Sequence, residues 1–294
     1  MNHVFCRELA IERGEPMEGT GQLRPRLLLL AWPRGQWRSP KWRSAGMSPA
    51  LAGAVEAAGR GENQVILVES LDKSPLPRLM AFPEARAFTP DDEPALIAAI
   101  TAWRQGEPLP GTPEPRTTIV CCTDSRADAC CARFGFATAK ALAAAADPER
   151  FLILQGSHIG GCRFAASLAV VSRRERYARL APEAVPDFLE SLGRGEIYLP
   201  AFKGRADRAE PEQVAELAAL RWAAKAGRGQ GPVVLAIEAA QADWRRYRAE
   251  LGGDRLTVEV RARVLPMHGK CAAIHTEEPR PTTRWIVASV EARA

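Results

Sequence analysis

The feature that most narrows what this chain can become is the stretch from Thr117 to Val171, which holds five of its seven cysteines and one of its four histidines. Cys121 and Cys122 close an apolar, β-branched run, and Cys130 and Cys131 follow nine residues on. Farther along, Ser157-His158-Ile159-Gly160-Gly161-Cys162 sets a histidine and a cysteine four apart around two glycines. Thiols and imidazole gathered this way, in a chain without secretory features, read first as a metal site rather than as disulfides. Each donor has a place in that reading. Cys122 lies at a strand end, Cys131 where the next helix begins, and His158 with Cys162 in one loop after the following strand. Strand ends fixed by a scaffold, with loops that bend between them, suit convergence on a metal. Gly160-Gly161 lets the second loop turn tightly.

The rest of the composition excludes more than it selects. At 294 residues, 46% apolar and 26% charged, the chain reads as a soluble globular protein of one large domain or two smaller ones. The net charge of +5 comes from 34 Arg and 6 Lys spread beside 35 acidic groups. There is no basic stripe with interleaved aromatics, so no nucleic-acid partner is expected. The opening Met1-Asn2-His3-Val4-Phe5-Cys6-Arg7-Glu8 lacks the basic and apolar regions of a secretory signal. Leu27 to Trp32, the most apolar run of the N-terminal part, is far shorter than the ~20 residues of a membrane helix. A cytoplasmic protein with no membrane association is expected, and there cysteines stay reduced or bind metal.

Element order points to an α/β fold. Strands are expected at 27–32, 65–68 and 78–82, with helices at 49–58, opened by Ser48-Pro49, and at 95–104. Glu107 to Arg116 carries four prolines and a glycine and reads as a linker. A second unit follows: strand 117–122, helix 129–146, strand 151–154, hairpin strands 168–171 and 176–180, then helices 182–192 and 211–226. This β-α-β, then β-β-α order is the thioredoxin-like one and repeats that of the first half, without a sequence repeat. The tail is expected as strand 233–237, helix 239–251 and an alternating strand with Leu256, Val258, Val260, Ala262 and Val264 on one face. Residues 271–275 and 285–290 are candidates for two more strands. The expected domains are a smaller α/β domain at 1–106, the linker at 107–116, a thioredoxin-like domain at 117–228 and a β-rich C-terminal α/β extension at 229–294.

The cysteine motifs also resemble a known family. Cys122-Thr123-Asp124-Ser125-Arg126-Ala127-Asp128-Ala129-Cys130-Cys131, followed by Ser157-His158-Ile159-Gly160-Gly161-Cys162-Arg163-Phe164, is similar to the sucrase/ferredoxin-like family. Glu15-Pro16-Met17-Glu18-Gly19-Thr20 and the Trp/Pro/Gly loop near Trp37 match its usual opening. The resemblance implies a thioredoxin-like ferredoxin with one [2Fe–2S] cluster, serving electron transfer with a redox partner protein not named by the residues. Carried over by position, the ligands are Cys122, Cys131, His158 and Cys162, with Cys130 the alternative to Cys131. The family's usual residue at position 162 is a second histidine. Cysteine there implies three Cys and one His, a more negative cluster and a lower potential. Arg163 stands next to a ligand, where its charge would offset that of the cluster.

Other readings stand beside this one. Cysteine is often a small core residue, the better reading for Cys6, Cys121 and Cys271. A Cys₃His set also suits structural zinc in an interaction module, although short Cys-x₂₋₄-Cys knuckles are missing. A thiol–disulfide oxidoreductase would carry Cys-x-x-Cys at a helix start, which vicinal Cys130-Cys131 is not. His268 and His275 flank Cys271 in what reads as a surface loop. Nothing marks the paired carboxylates that glycoside hydrolysis needs, so sucrase activity is not expected.

Overall fold

Alternation along the strands sorts the apolar residues between two faces of one sheet, and the donors lie at its strand ends. The computed structural model describes residues 4–293. The first half holds α1 (Cys6–Glu12), β1 (Arg26–Ala31), α2 (Pro49–Ala58), β2 (Asn63–Glu69), β3 (Leu79–Phe82), β4 (Arg86–Phe88), α3 (Glu93–Arg104) and β5 (Thr112–Pro113). Ser48 caps α2, its hydroxyl accepting the Leu51 N–H at 3.1 Å, and the Asp92 carboxylate caps α3 through the Ala95 N–H at 2.8 Å. The second half holds β6 (Thr117–Cys122), α4 (Phe136–Ala145), β7 (Phe151–Gly156), β8 (Ser167–Val170), β9 (Glu175–Ala178), α5 (Val185–Gly193), β10 (Phe202–Arg205) and α6 (Glu210–Lys225). The tail adds β11 (Val234–Ala240), β12 (Trp244–Leu251), β13 (Asp254–Met267) and β14 (Arg280–Ala292).

Ten strands make one mixed sheet in the order β10-β9-β8-β6-β7-β2-β1-β3-β4-β5. β1 and β2 pair in parallel, as do β6 and β7, and each first strand also takes an antiparallel neighbour, β3 or β8. Both halves therefore show the same strand order. They join where β2 meets β7 antiparallel over two residue pairs, Val68 with Gly156 and Glu69 with Gln155. Ser157 fastens that junction, donating its N–H to the Leu67 carbonyl at 2.8 Å and accepting the Leu67 N–H at 3.0 Å. The proline-rich stretch contributes β5, paired with β4 at the sheet's edge.

On one face Leu28, Leu30, Val65 and Leu67 pack under α2 and α3, and Ile119 and Cys121 pack with Leu142, Phe188 and Leu217 of α4, α5 and α6. On the other face Leu27, Leu29, Ile66 and Val68 join Val120, Leu154 and six of the cysteines. The period of two thus divides the vicinal pair, sending Cys121 to the helical face and Cys122 to the cysteine-rich one.

The tail departs from expectation. The segment 239–251 is no helix: β11, β12, β13 and β14 form a four-stranded antiparallel sheet. Trp-Arg-Arg-Tyr-Arg-Ala-Glu-Leu alternates as well as it spirals, and Tyr247, Ala249 and Leu251 turn inward while Arg246 and Arg248 face water. Gly252 and Gly253, with φ of +58° and +90°, make the turn into β13. In β13 the expected face holds for Leu256, Val258 and Val260, but the phase then changes. Val264 is 63% exposed, whereas Leu265 and Met267 are buried against Ala10 of α1. Residues 271–273 form a short 3₁₀ turn instead of a strand, and 285–290 lie within β14. α6 packs between the two sheets, so even Gln213 and Glu216 are buried.

The helix expected from 129 starts with a π-type turn, Cys131–Gly135, before α4 proper; such bulges often accompany functional sites. Gly135 presses on the end of β6, where an added Cβ would overlap the Cys122 carbonyl oxygen. Gly135→Ala is therefore expected to cost about 1–3 kcal/mol of stability, as overpacking does, and to part Cys131 from Cys122. A urea midpoint and a metal content both equal to wild type would contradict this close approach.

Candidate metal centre

The two parallel strands β6 and β7 end side by side, with Cys122 in register with Gly156. The loop from β6 carries Cys131 into the π turn, and the loop from β7 carries His158 and then Cys162. Ligand atoms of Cys122, Cys131 and His158 lie within 4.8 Å of one another. Cys162 Sγ stands 3.6 Å from His158 Nδ1 and also contacts Cys131. The four donors so form a closed ring of contacts, Cys122 to Cys131 to Cys162 to His158 and back to Cys122. All three thiols are buried and His158 is half-buried. None of the three is in a disulfide. Of the two vicinal thiols, Cys131 joins this ring, while Cys130 turns toward Cys6 and Cys271.

Three features hold the loops. Asp124, buried just after Cys122, accepts the His158 N–H at 3.1 Å and the Arg126 N–H at 3.1 Å, tying one donor loop to the other. Gly160 and Gly161 have φ of +87° and +79°, backbone that a side chain would strain. Arg176, 1% exposed on β9, donates to the carbonyls of Gln22, Ile159, Gly160 and Leu168 and to Ser167 Oγ, at 2.7–3.3 Å. Burial lowers its guanidinium to about 10. No sequence signal marked it, because an arginine within a hairpin strand normally faces solvent.

The ring's protons follow from its hydrogen bonds. The Cys131 thiol donates toward Cys122 and Cys162, which pushes its own titration far up and lowers that of both neighbours, Cys162 to about 6. His158, between Cys122 and Cys162, is raised to about 10 by its hydrogen bonds to both sulfurs and by their charge, against the opposing effect of burial. Buried thiolates stabilised beside an imidazole are the form in which cysteine ligates metals. A di-iron cluster asks for four such soft donors, and these residues supply three thiols and an imidazole, so the set fits. Four-coordinate zinc would be met by the same set.

Arg163 does not stand free to offset charge at this site. Its Nε lies 2.9 and 2.7 Å from the two Glu15 carboxylate oxygens, and Arg284 shares the same buried carboxylate at 2.9 Å. Glu15 lies in the opening segment singled out from the sequence; its role is to neutralise this arginine pair. Cys121 is a core thiol bonded to the Gly135 carbonyl at 3.3 Å. Cys6 and Cys271 are buried, but against each other, Cys130 and Asp128 rather than among hydrocarbon alone. His268 is buried beside the Cys271 turn, its Nδ1 unpartnered among the described residues, and His275 is outside both donor groups. His3 lies outside the described residues. No helix among the described residues is long and apolar enough to cross a membrane.

A family model described as sucrase/ferredoxin-like matches residues 25–204, more than half of the chain and all four donors of the ring. Comparison with curated proteins and with solved structures found no match.

Arg176→Met would leave several buried carbonyls without a donor, at about 1–3 kcal/mol for each that finds no water. The variant is expected to melt at lower urea and to retain less metal than wild type, through a loosened His158–Cys162 loop. Wild-type metal content in a variant that has lost stability would remove Arg176 from the support of the site.

Proposed function

The chain belongs to the sucrase/ferredoxin-like family, and from that premise we propose that it is an electron-transfer protein of thioredoxin-like fold, holding one [2Fe–2S] cluster on Cys122, Cys131, His158 and Cys162. The observation that carries the reading is the closed ring of four soft donors at the carboxyl ends of two parallel strands. The repeated strand order, with the first two strands parallel and the third antiparallel, supports the thioredoxin-like assignment.

Such a cluster supplies one-electron uptake and release. The chain's own residues bind it, exclude water and set its charge. Cys122, Cys131 and Cys162 bring three buried thiolates, one more than a two-histidine set, which lowers the potential. His158 is the half-buried member of the ring. It is therefore the side on which a redox partner protein approaches, and its imidazole is the group that water reaches first. Asp124 and Arg176 keep the two loops in place through their backbone contacts. A cytoplasmic setting goes with the proposal, because the thiols have to stay reduced to bind iron.

Freshly purified protein is expected to be red-brown, with about two irons and two acid-labile sulfides per chain. Colourless protein with zinc on the ring would replace this reading by a zinc-stabilised interaction module. Colourless, metal-free protein with an easily reduced disulfide would replace it by a thiol–disulfide oxidoreductase. Cys162→Ser and His158→Ala should each lose most of the iron, and full retention in both would remove those ligands. Cys162→His, which restores the family's usual residue, is expected to keep the cluster and raise its reduction potential; an unchanged or lower potential would contradict Cys162 as a ligand.

A further inference from the structure

A second set of donors lies on the cysteine-rich face, and the electron-transfer reading does not use it. Cys6 comes from α1, Asp128 and Cys130 from the loop between β6 and α4, and Cys271 from the turn after β13. The three sulfurs form a triangle: Cys130 to Cys271 is 3.3 Å, Cys6 to Cys130 is 3.5 Å and Cys271 to Cys6 is 3.6 Å. Asp128 closes it, with Oδ1 3.0 Å from Cys271 Sγ and 3.8 Å from Cys6 Sγ. All four residues are buried.

We propose that Cys6, Cys130, Cys271 and Asp128 hold a mononuclear, four-coordinate zinc ion that clamps the N-terminal helix and the C-terminal turn onto the loop bearing Cys131. The spacing carries the assignment. Zinc–sulfur bonds of about 2.3 Å put tetrahedral thiolates about 3.8 Å apart, so the triangle opens by only a few tenths of an ångström to seat one ion. Three thiolates with one carboxylate are a mixed sulfur–oxygen set of the kind zinc takes, whereas iron–sulfur clusters are held chiefly by thiolates. A disulfide needs a sulfur pair at about 2.0 Å, and pairing any two of the three would strand the third beside a buried carboxylate.

The surroundings are arranged for thiolate and carboxylate ligands rather than for hydrocarbon packing. Backbone N–H groups of Cys6 and Arg7 point at Cys271 Sγ, 3.4 Å away, and at Cys130. The N–H groups of Cys130 and Cys271 each donate to Asp128 at 2.8 Å, one to each carboxylate oxygen, and so fix how it faces the sulfurs. Outer contacts of this kind orient metal ligands. Among the described residues no arginine or lysine forms an ion pair with the buried Asp128 carboxyl group, and Arg7 lies toward Cys130 instead. A divalent ion among three thiols and this carboxyl would supply the countercharge that the side chains leave out.

This site shares its backbone with the ring. Cys130 and Cys131 are adjacent and face different donor sets, so an ion on Cys130 fixes the peptide that presents Cys131. The count rests on the reading of the ring as an iron site; zinc on the ring would show as a second zinc per chain that Cys6→Ser and Cys271→Ser do not remove, so the two failures are told apart.

The test is elemental analysis of the full chain, purified without chelator from cells supplied with zinc and iron. One zinc per chain is expected in wild type. Cys6→Ser and Cys271→Ser should each cut it at least fivefold and leave the visible chromophore largely in place. An organomercurial titration of wild type, which needs no variant to fold, should release that zinc as three thiols react. Cobalt grown in instead should show the intense visible bands of a tetrahedral thiolate site, absent from both variants. Zinc near zero in wild type, zinc unchanged in both variants, iron in its place, or a native disulfide among Cys6, Cys130 and Cys271 would each overturn the proposal.

Discussion

The structure depends on one registration: β6 and β7 run parallel with Cys122 opposite Gly156. Parallel neighbours release their loops at the same end, and open α/β sheets bind ligands outside those carboxyl ends. Two residues past the paired Gly156 is His158, and nine past Cys122 is Cys131. Had the strands been antiparallel, the two donor loops would leave opposite ends of the sheet and the ring could not close. The parallel arrangement needs α4 as its crossover, which is why the second donor, Cys131, sits in the π turn that leads into that helix.

Around this registration buried polar groups hold backbone segments in place. Asp124 ties the first loop to the second, and Arg176 gathers five acceptors beneath the second. Glu15 takes up the charges of Arg163 and Arg284 in a buried ion-pair cluster. Ion pairs of this sort add little net stability but are expensive to break singly. Their effect here is to hold the segment before β1 against the ring's outer loop. Cys6 of α1 and Cys271 of the turn after β13 meet, so the donor region is closed over by parts of the chain far apart in sequence.

Much of this was legible from residues alone, and the reasons differ by element. Buried strands such as 27–31, 65–68 and 151–154 announced themselves because both faces are covered and the runs are apolar throughout. The Ser48-Pro49 start located α2 by its cap, which the structure keeps. The donors of the ring were visible because thiols and imidazole in glycine-bearing loops have few other uses. The segment 239–251 misled because Tyr247 and Leu251, four apart, also fit a helical count, and only the neighbouring β13 decides for the strand. Continuity of the ten-stranded sheet rests on two residue pairs between β2 and β7, which no local pattern encodes. The separate fates of Cys130 and Cys131 depend on a π turn, and that of Arg163 on a carboxylate 148 residues away. Those are tertiary facts.

The proposed centre is a single imidazole and three thiolates around two irons. Electron spin-echo modulation of the dithionite-reduced protein reads it most directly, because a ligating imidazole nitrogen couples to the unpaired spin. A half-integer spin signal carrying one strongly coupled nitrogen is expected, lost in His158→Ala. A signal with two such nitrogens, or with none, or no signal from reduced protein, would contradict it.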